Sequence, residues 1–77
     1  MEELLVAIAK GLVEDKDAVS VTADQPDEEG TVVYHLQVAP DDMGRVIGKQ
    51  GRIAKSIRAV MKAAATRQGT KIAVEID

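Results

Sequence analysis

The chain runs to 77 residues, 45% hydrophobic and 30% charged, enough for one small core and too apolar for wholesale disorder. With no cysteine and one histidine, it holds neither a disulfide framework nor a thiolate zinc site. Its net charge of −3 hides a split: residues 1 to 42 hold eleven acids against Lys10 and Lys16, a net of −9, and residues 43 to 77 carry a net of +6.

Residues 2 to 13, EELLVAIAKGLV, place Leu5, Ile8 and Leu12 on one helical face with Leu4 beside them. Glu2 and Glu3 suit the positive start of that helix, and Asp15-Lys16-Asp17 ends it. VSVTA, residues 19 to 23, alternates as a strand does, with Val19, Val21 and Ala23 pointing one way. DQPDEEG then forms an acidic turn, most simply a hairpin connection. TVVYHLQVA is the strongest strand, with Val32, Tyr34, Leu36 and Val38 facing the core and His35 on the other face. Pro40 ends it, and Asp41 or Asp42 is placed to cap a short helix, MGRVIG.

A long helix is expected over residues 52 to 67. Its apolar side gathers Ile53, Ile57, Val60 and Ala64; Arg52, Lys55, Arg58 and Lys62 spread over the opposite side. Gly69 stops it, and KIAVEI is a last alternating strand. The order α-β-β-α-α-β predicts a single α+β domain over residues 1–77, three helices packed on one face of a three-stranded sheet. No apolar run reaches the roughly 20 residues that span a bilayer. The start Met1-Glu2-Glu3 has the wrong charge for a secretory signal. A cytoplasmic protein without membrane contact is the expectation.

Gly48-Lys49-Gln50-Gly51 interrupts two Ile-containing helices, and three readings compete for it. A plain helix-to-helix turn explains one glycine but neither Lys49 nor the basic flank that follows. A nucleotide phosphate loop fails on spacing: it needs four residues between its glycines and then Lys-Ser/Thr, whereas three separate Gly44 from Gly48 and Gln50 follows Lys49. A clamp on a sugar-phosphate backbone accounts for the whole pattern. Glycines let a chain lie close to the peptide, N–H groups at the start of the long helix point at phosphate oxygens, and Lys49 and Arg52 add charge. Ile47 and Ile53 would offer apolar walls for bases, which matters in a chain whose sole aromatic is Tyr34.

Met43-Gly44-Arg45-Val46-Ile47-Gly48-Lys49-Gln50-Gly51-Arg52-Ile53-Ala54-Lys55-Ser56-Ile57-Arg58 resembles the KH motif, Val/Ile-Ile-Gly-x-x-Gly with Ile after one further residue. The element order resembles the type II, prokaryotic, KH arrangement. The whole chain is similar to the small stand-alone bacterial KH proteins of the KhpA family, formerly YlqC. That resemblance implies a non-catalytic binder of single-stranded RNA, with Gly48, Lys49, Gln50 and Gly51 on the backbone and Ile47 and Ile53 in the groove. It also implies self-association, or pairing with a larger Jag-type RNA-binding protein, in the control of bacterial cell elongation and division. No cofactor or metal is expected, since no nucleophile–base pair or ligand cluster exists.

Arg45, Arg52 and Lys55 join the expected RNA footprint, with Arg58 and Lys62 farther along the same helix. The end of the second strand, at Gln37 and Val38, is the expected opposite wall of the groove. Ala54, Met61 and Ala65 are expected at the fringe of the long helix's apolar face, where small residues and a flexible Met suit a dimer contact. His35 reads as a surface residue without a chemical role. A protein-interaction adaptor that mainly dimerises is the alternative function.

Overall fold

A computed structural model describes residues 1–76. It contains α1 (Glu2–Lys10), β1 (Ser20–Ala23), β2 (Thr31–Gln37), α2 (Met43–Ile47), α3 (Arg52–Arg67) and β3 (Lys71–Ile76), in the expected order. Short 3₁₀ turns occupy Lys16–Ala18, Pro40–Asp42 and Lys49–Gly51. The sheet order is β1-β2-β3, with β1 antiparallel and β3 parallel to the central β2. The parallel pair is possible because α2 and α3 carry the chain back across the sheet between β2 and β3.

The core draws on every element except β1: Leu5 and Ala9 from α1, Val13 after it, Leu36 and Val38 from β2 and beyond it, Val46 from α2, Ile57 and Met61 from α3, and Val74 from β3. His35 stands on the opposite sheet face, in register with Thr22 and Glu75. There its Nε2 lies 2.9 Å from an Asp24 carboxylate oxygen and its Nδ1 lies 3.5 Å from Glu75.

Both long apolar faces are turned from where the largest aliphatic residues would put them. In α1 the buried line is Leu5, Ala9 and then Val13, which leaves Ile8 and Leu12 half-buried and Leu4 exposed. In α3 it is Ala54, Ile57, Met61 and Ala65, while Val60 is 50% exposed. The reason is steric: the small residues allow close approach of helix and sheet, and the bulkier Ile53 and Val60 are displaced to the flank. Ala54, Met61 and Ala65 are therefore not a dimer fringe. At 5%, 0% and 1% exposure they are interior to the single chain.

Two further expectations change. Regular helix stops at Lys10 rather than Val13, because Gly11 is a poor helix former and Leu12 closes a tighter turn onto Ala9. Neither Asp41 nor Asp42 caps α2 with its side chain. Asp42 instead turns inward and becomes the one charged residue in the buried set. No described helix is long and apolar enough to cross a membrane.

A candidate nucleic-acid interface

Asp42 fixes where α2 begins. Its two carboxylate oxygens accept the backbone N–H groups of Glu14, at 3.2 Å, and Asp15, at 3.1 Å. Arg45, one turn along α2, places its Nε 3.3 Å from Asp42 and donates from Nη2 to Glu14 at 3.0 Å. The N–H group of Asp15 is the main reason that the Asp42 carboxyl sits below its ordinary value of 3.8; the N–H of Glu14 and the charges of Arg45 and Lys16 add to it, and burial opposes. Arg45, expected on phosphate, is thus engaged in tying α2 to the segment that follows α1.

At the other end of α2 the chain reverses hand. Gly48 N–H donates to Gly44 at 2.9 Å and ends the helix. Gly48 has φ 75° and ψ 174°, Gln50 φ 58° and ψ 25°, and Gly51 φ 75° and ψ 15°, before α3 resumes right-handed geometry at Arg52. The two glycines are needed for different reasons. A Cβ on Gly48 would press on Ile53, 2.8 Å from its Cβ and 2.9 Å from its backbone nitrogen. A Cβ on Gly51 would meet nothing within 4 Å, so only its backbone angle demands glycine and its surface is open to a ligand. The space left bare at Gly48 is therefore filled from within, by Ile53.

No side chain caps α3, and its first turn holds no acid. Arg52 opens the helix, with Lys49 just before it and Lys55 a turn later, all exposed and without an ion pair among the described residues. Such a start puts positive side chains at the positive end of the helix dipole, the arrangement a helix on its own disfavours. It leaves backbone N–H groups at the start of α3 without side-chain partners, near three exposed cationic side chains.

α3 has two flanks beside its buried line. On one, Arg58 and Lys62 face Ile72, Ala73, Val74 and Glu75 across a groove along β3, the free edge of the sheet. The Arg58 Nε donates to the Val74 carbonyl at 3.1 Å. Lys62, Ala65 and Thr66 border Thr70, Lys71 and Ile72, so α3 runs antiparallel to β3 and its Arg52 end lies toward Ile76. The basic series Arg52, Lys55, Arg58 and Lys62 therefore leads from the turn into this groove. On the other flank, Ile53, Ile57 and Val60 join Ile8 of α1 and Leu12 just after it in a hollow with almost wholly apolar walls.

The turn residues Gly48 to Gly51, with Arg52 and Lys55, thus lie together as the sequence suggests. Ile53 does not line the β3 groove; it sits under Gly48 on the α1 flank. Ile47 is 38% exposed at the end of α2. Gln37 and Val38 line a separate hollow with Ala18, Pro40 and Met43, at the start of α2 rather than beside the turn. Sequence reasoning did not single out the hollow at the β3 edge; its signal was Arg58, two turns into α3 on the basic side. No cluster of three or more His, Cys, Asp or Glu side chains suited to a metal ion occurs among the described residues.

A three-stranded sheet with helices on one face, and a Gly-x-x-Gly turn leading into the last helix, defines a type II KH domain. The chain belongs to the family described as KhpA/KhpB, KH domain, which it matches over residues 2–76. It is 51% identical over 76 residues to the RNA-binding protein KhpA of Clostridium acetobutylicum, with 99% of each chain covered. To the protein of that name from Listeria monocytogenes it is 46% identical, covering 99% of this chain and 97% of the relative. The fold also matches part of Era in a crystal structure with MgGDPNP and a segment of 16S ribosomal RNA, at a TM-score of 0.69 and 16% identity. That match covers 97% of this chain but 28% of the Era chain.

Proposed function

We propose that this protein binds single-stranded RNA without catalysing a reaction on it, with the sugar-phosphate backbone against Gly48–Gly51 and the start of α3. The basic flank of α3 then guides the strand along the groove at β3, where bases meet the half-buried Ile72 and the exposed edge of the sheet. The observation that carries this reading is the uncapped, wholly basic start of a 16-residue helix directly after a left-handed turn. Only a polyanion relieves that arrangement at several points at once. The RNA-binding names of the full-length relatives point the same way. A single KH domain reads about four nucleotides, so one copy binds weakly and with low specificity.

The test is fluorescence anisotropy with a short labelled single-stranded RNA, wild type against Lys49→Asp/Gln50→Asp. Both glycines remain, so circular dichroism should be unchanged while affinity falls by about tenfold or more, through two acids placed against phosphate. Unchanged affinity would remove RNA from the turn.

A second reading, an adaptor that mainly dimerises, is favoured by the apolar flank formed by Ile8, Leu12, Ile53 and Val60. We place a second copy of this chain there, with a Jag-type RNA-binding protein as the competing partner. Pairing two weak sites raises the effective concentration for one RNA strand. Val60→Asp should halve the mass in solution of a dimeric wild type and leave the fold intact; an unchanged dimer would exclude this flank. A cytoplasmic role in post-transcriptional control of cell elongation, division and shape fits either reading.

A further inference from the structure

We propose that Ile53 is a positioning residue for the RNA site: its Cβ and Cγ1 brace Gly48 and hold the turn open to phosphate, and it touches no base. This rests on RNA lying along Gly48–Gly51. The apolar character, the position after the second glycine and the neighbouring cations all suggest a groove wall for Ile53, but its surroundings do not. The carbon that Gly48 lacks would run into the Ile53 Cγ1, Cβ and backbone nitrogen together. Ile53 is half-buried, packed on the core, and its remaining surface joins Ile8, Leu12 and Val60 on the flank away from β3. Gly51 has no such neighbour, and Gln50 holds a left-handed conformation without glycine. Besides the hydrogen bond from Gly51 N–H to the Gly48 carbonyl at 3.2 Å, the turn has a side-chain support from the second residue of α3.

A brace and a base-contacting wall demand different chemistry. A wall needs apolar surface, so Leu should replace Ile and Thr should fail. A brace needs an atom at the γ position, where the Ile53 Cγ1 sits against Gly48, so Val, Thr and Leu should serve and Ala should not. The experiment compares Ile53→Val, Ile53→Thr, Ile53→Leu and Ile53→Ala, with Lys49→Asp/Gln50→Asp alongside. Amide exchange and ¹H–¹⁵N spectra of the free proteins report on residues 48 to 51, and anisotropy with a short labelled oligouridylate reports affinity from low to moderate salt.

The expected result is a loosened turn and affinity lower by about five- to tenfold in the Ala variant, with Leu close to wild type. The Val and Thr variants should bind within about twofold of wild type. The dependence on log salt should keep its slope in all four, because no phosphate-neutralising charge is removed, whereas the Lys49 variant should lower it. Retained binding in Leu with loss in Thr would overturn the brace in favour of a base wall. A turn equally ordered in all four free proteins would overturn it outright. A turn that loosens in Ala without loss of affinity would refute positioning. If Lys49→Asp/Gln50→Asp alone binds as wild type, the failure lies with RNA on the turn, and the free-protein spectra still decide the brace.

Discussion

The starts of α1 and α3 are built on opposite rules. α1 opens on Glu2 and Glu3 and closes on Lys10, so its charges follow the direction its dipole favours. α3 opens on Arg52, has no acid in its first turn, and follows a turn that carries Lys49. Neither start has a side-chain cap, but in α1 the acids of the first turn complement the dipole. The start of α3 lacks that complement, which is the feature the proposed RNA site rests on. The acidic and basic halves of the chain express the same division at larger scale.

The contrast can be broken most severely at the turn itself. Gly48→Ala places a carbon against Ile53 and forces an alanine into a glycine-only conformation, so we expect a stability loss of about 2–4 kcal/mol, read by chemical denaturation. Gly51→Ala, which meets no neighbour, should cost only about 1–2 kcal/mol for its backbone angle. Equal costs at the two glycines would contradict the different reasons assigned to them. At the far end of α2, Asp42→Ala leaves the N–H groups of Glu14 and Asp15 without their acceptor and Arg45 without a neighbour. Thermal melting should fall by several degrees.

The pH dependence of that anchor has a definite sign. The native carboxyl titrates below 3.8, so its contribution is complete above that value and is lost as pH falls through the lower native one. Asp42→Asn should show a shallower loss of stability in that acid window than wild type, measured by denaturation at stepped pH.

The smallest effect sharpens the comparison most. Arg52→Glu gives α3 the kind of start that α1 already has. It should raise stability by roughly 0.3–1 kcal/mol while weakening RNA binding. The converse change in α1, Glu3→Lys, should lower stability by a similar few tenths, roughly 0.3–1 kcal/mol, without loss of RNA affinity. A destabilised Arg52→Glu would mean that the basic start of α3 is already satisfied within the chain.

Much of the fold was legible because period-2 and period-3.6 patterns are strong in this chain: residues 31 to 37 and 52 to 67 read as they fold. The turn was legible too, since glycine at two set positions with a cation between them is hard to explain by packing alone. What pattern could not show was rotation about a helix axis. Ile53 and Val60 weigh heavily in any count of apolar residues, yet Ala54, Met61 and Ala65 take the core because small residues let α3 lie close to the sheet. The same rotation carried Ile53 from the groove to the brace and the expected dimer fringe into the interior. Asp42 was read as a local cap because its long-range acceptor role depends on a loop 27 residues away in sequence. Nor could spacing alone pair Arg58 with the β3 edge.

The most direct test of RNA lying along the start of α3 is a ¹H–¹⁵N titration of the wild-type protein with a short single-stranded RNA. The account predicts that the largest amide shifts fall on residues 48 to 55 and continue through Arg58 to Ile72–Glu75, leaving Ile8, Leu12 and Val60 nearly still. Shifts centred on the α1–α3 flank, with the turn unmoved, would contradict it.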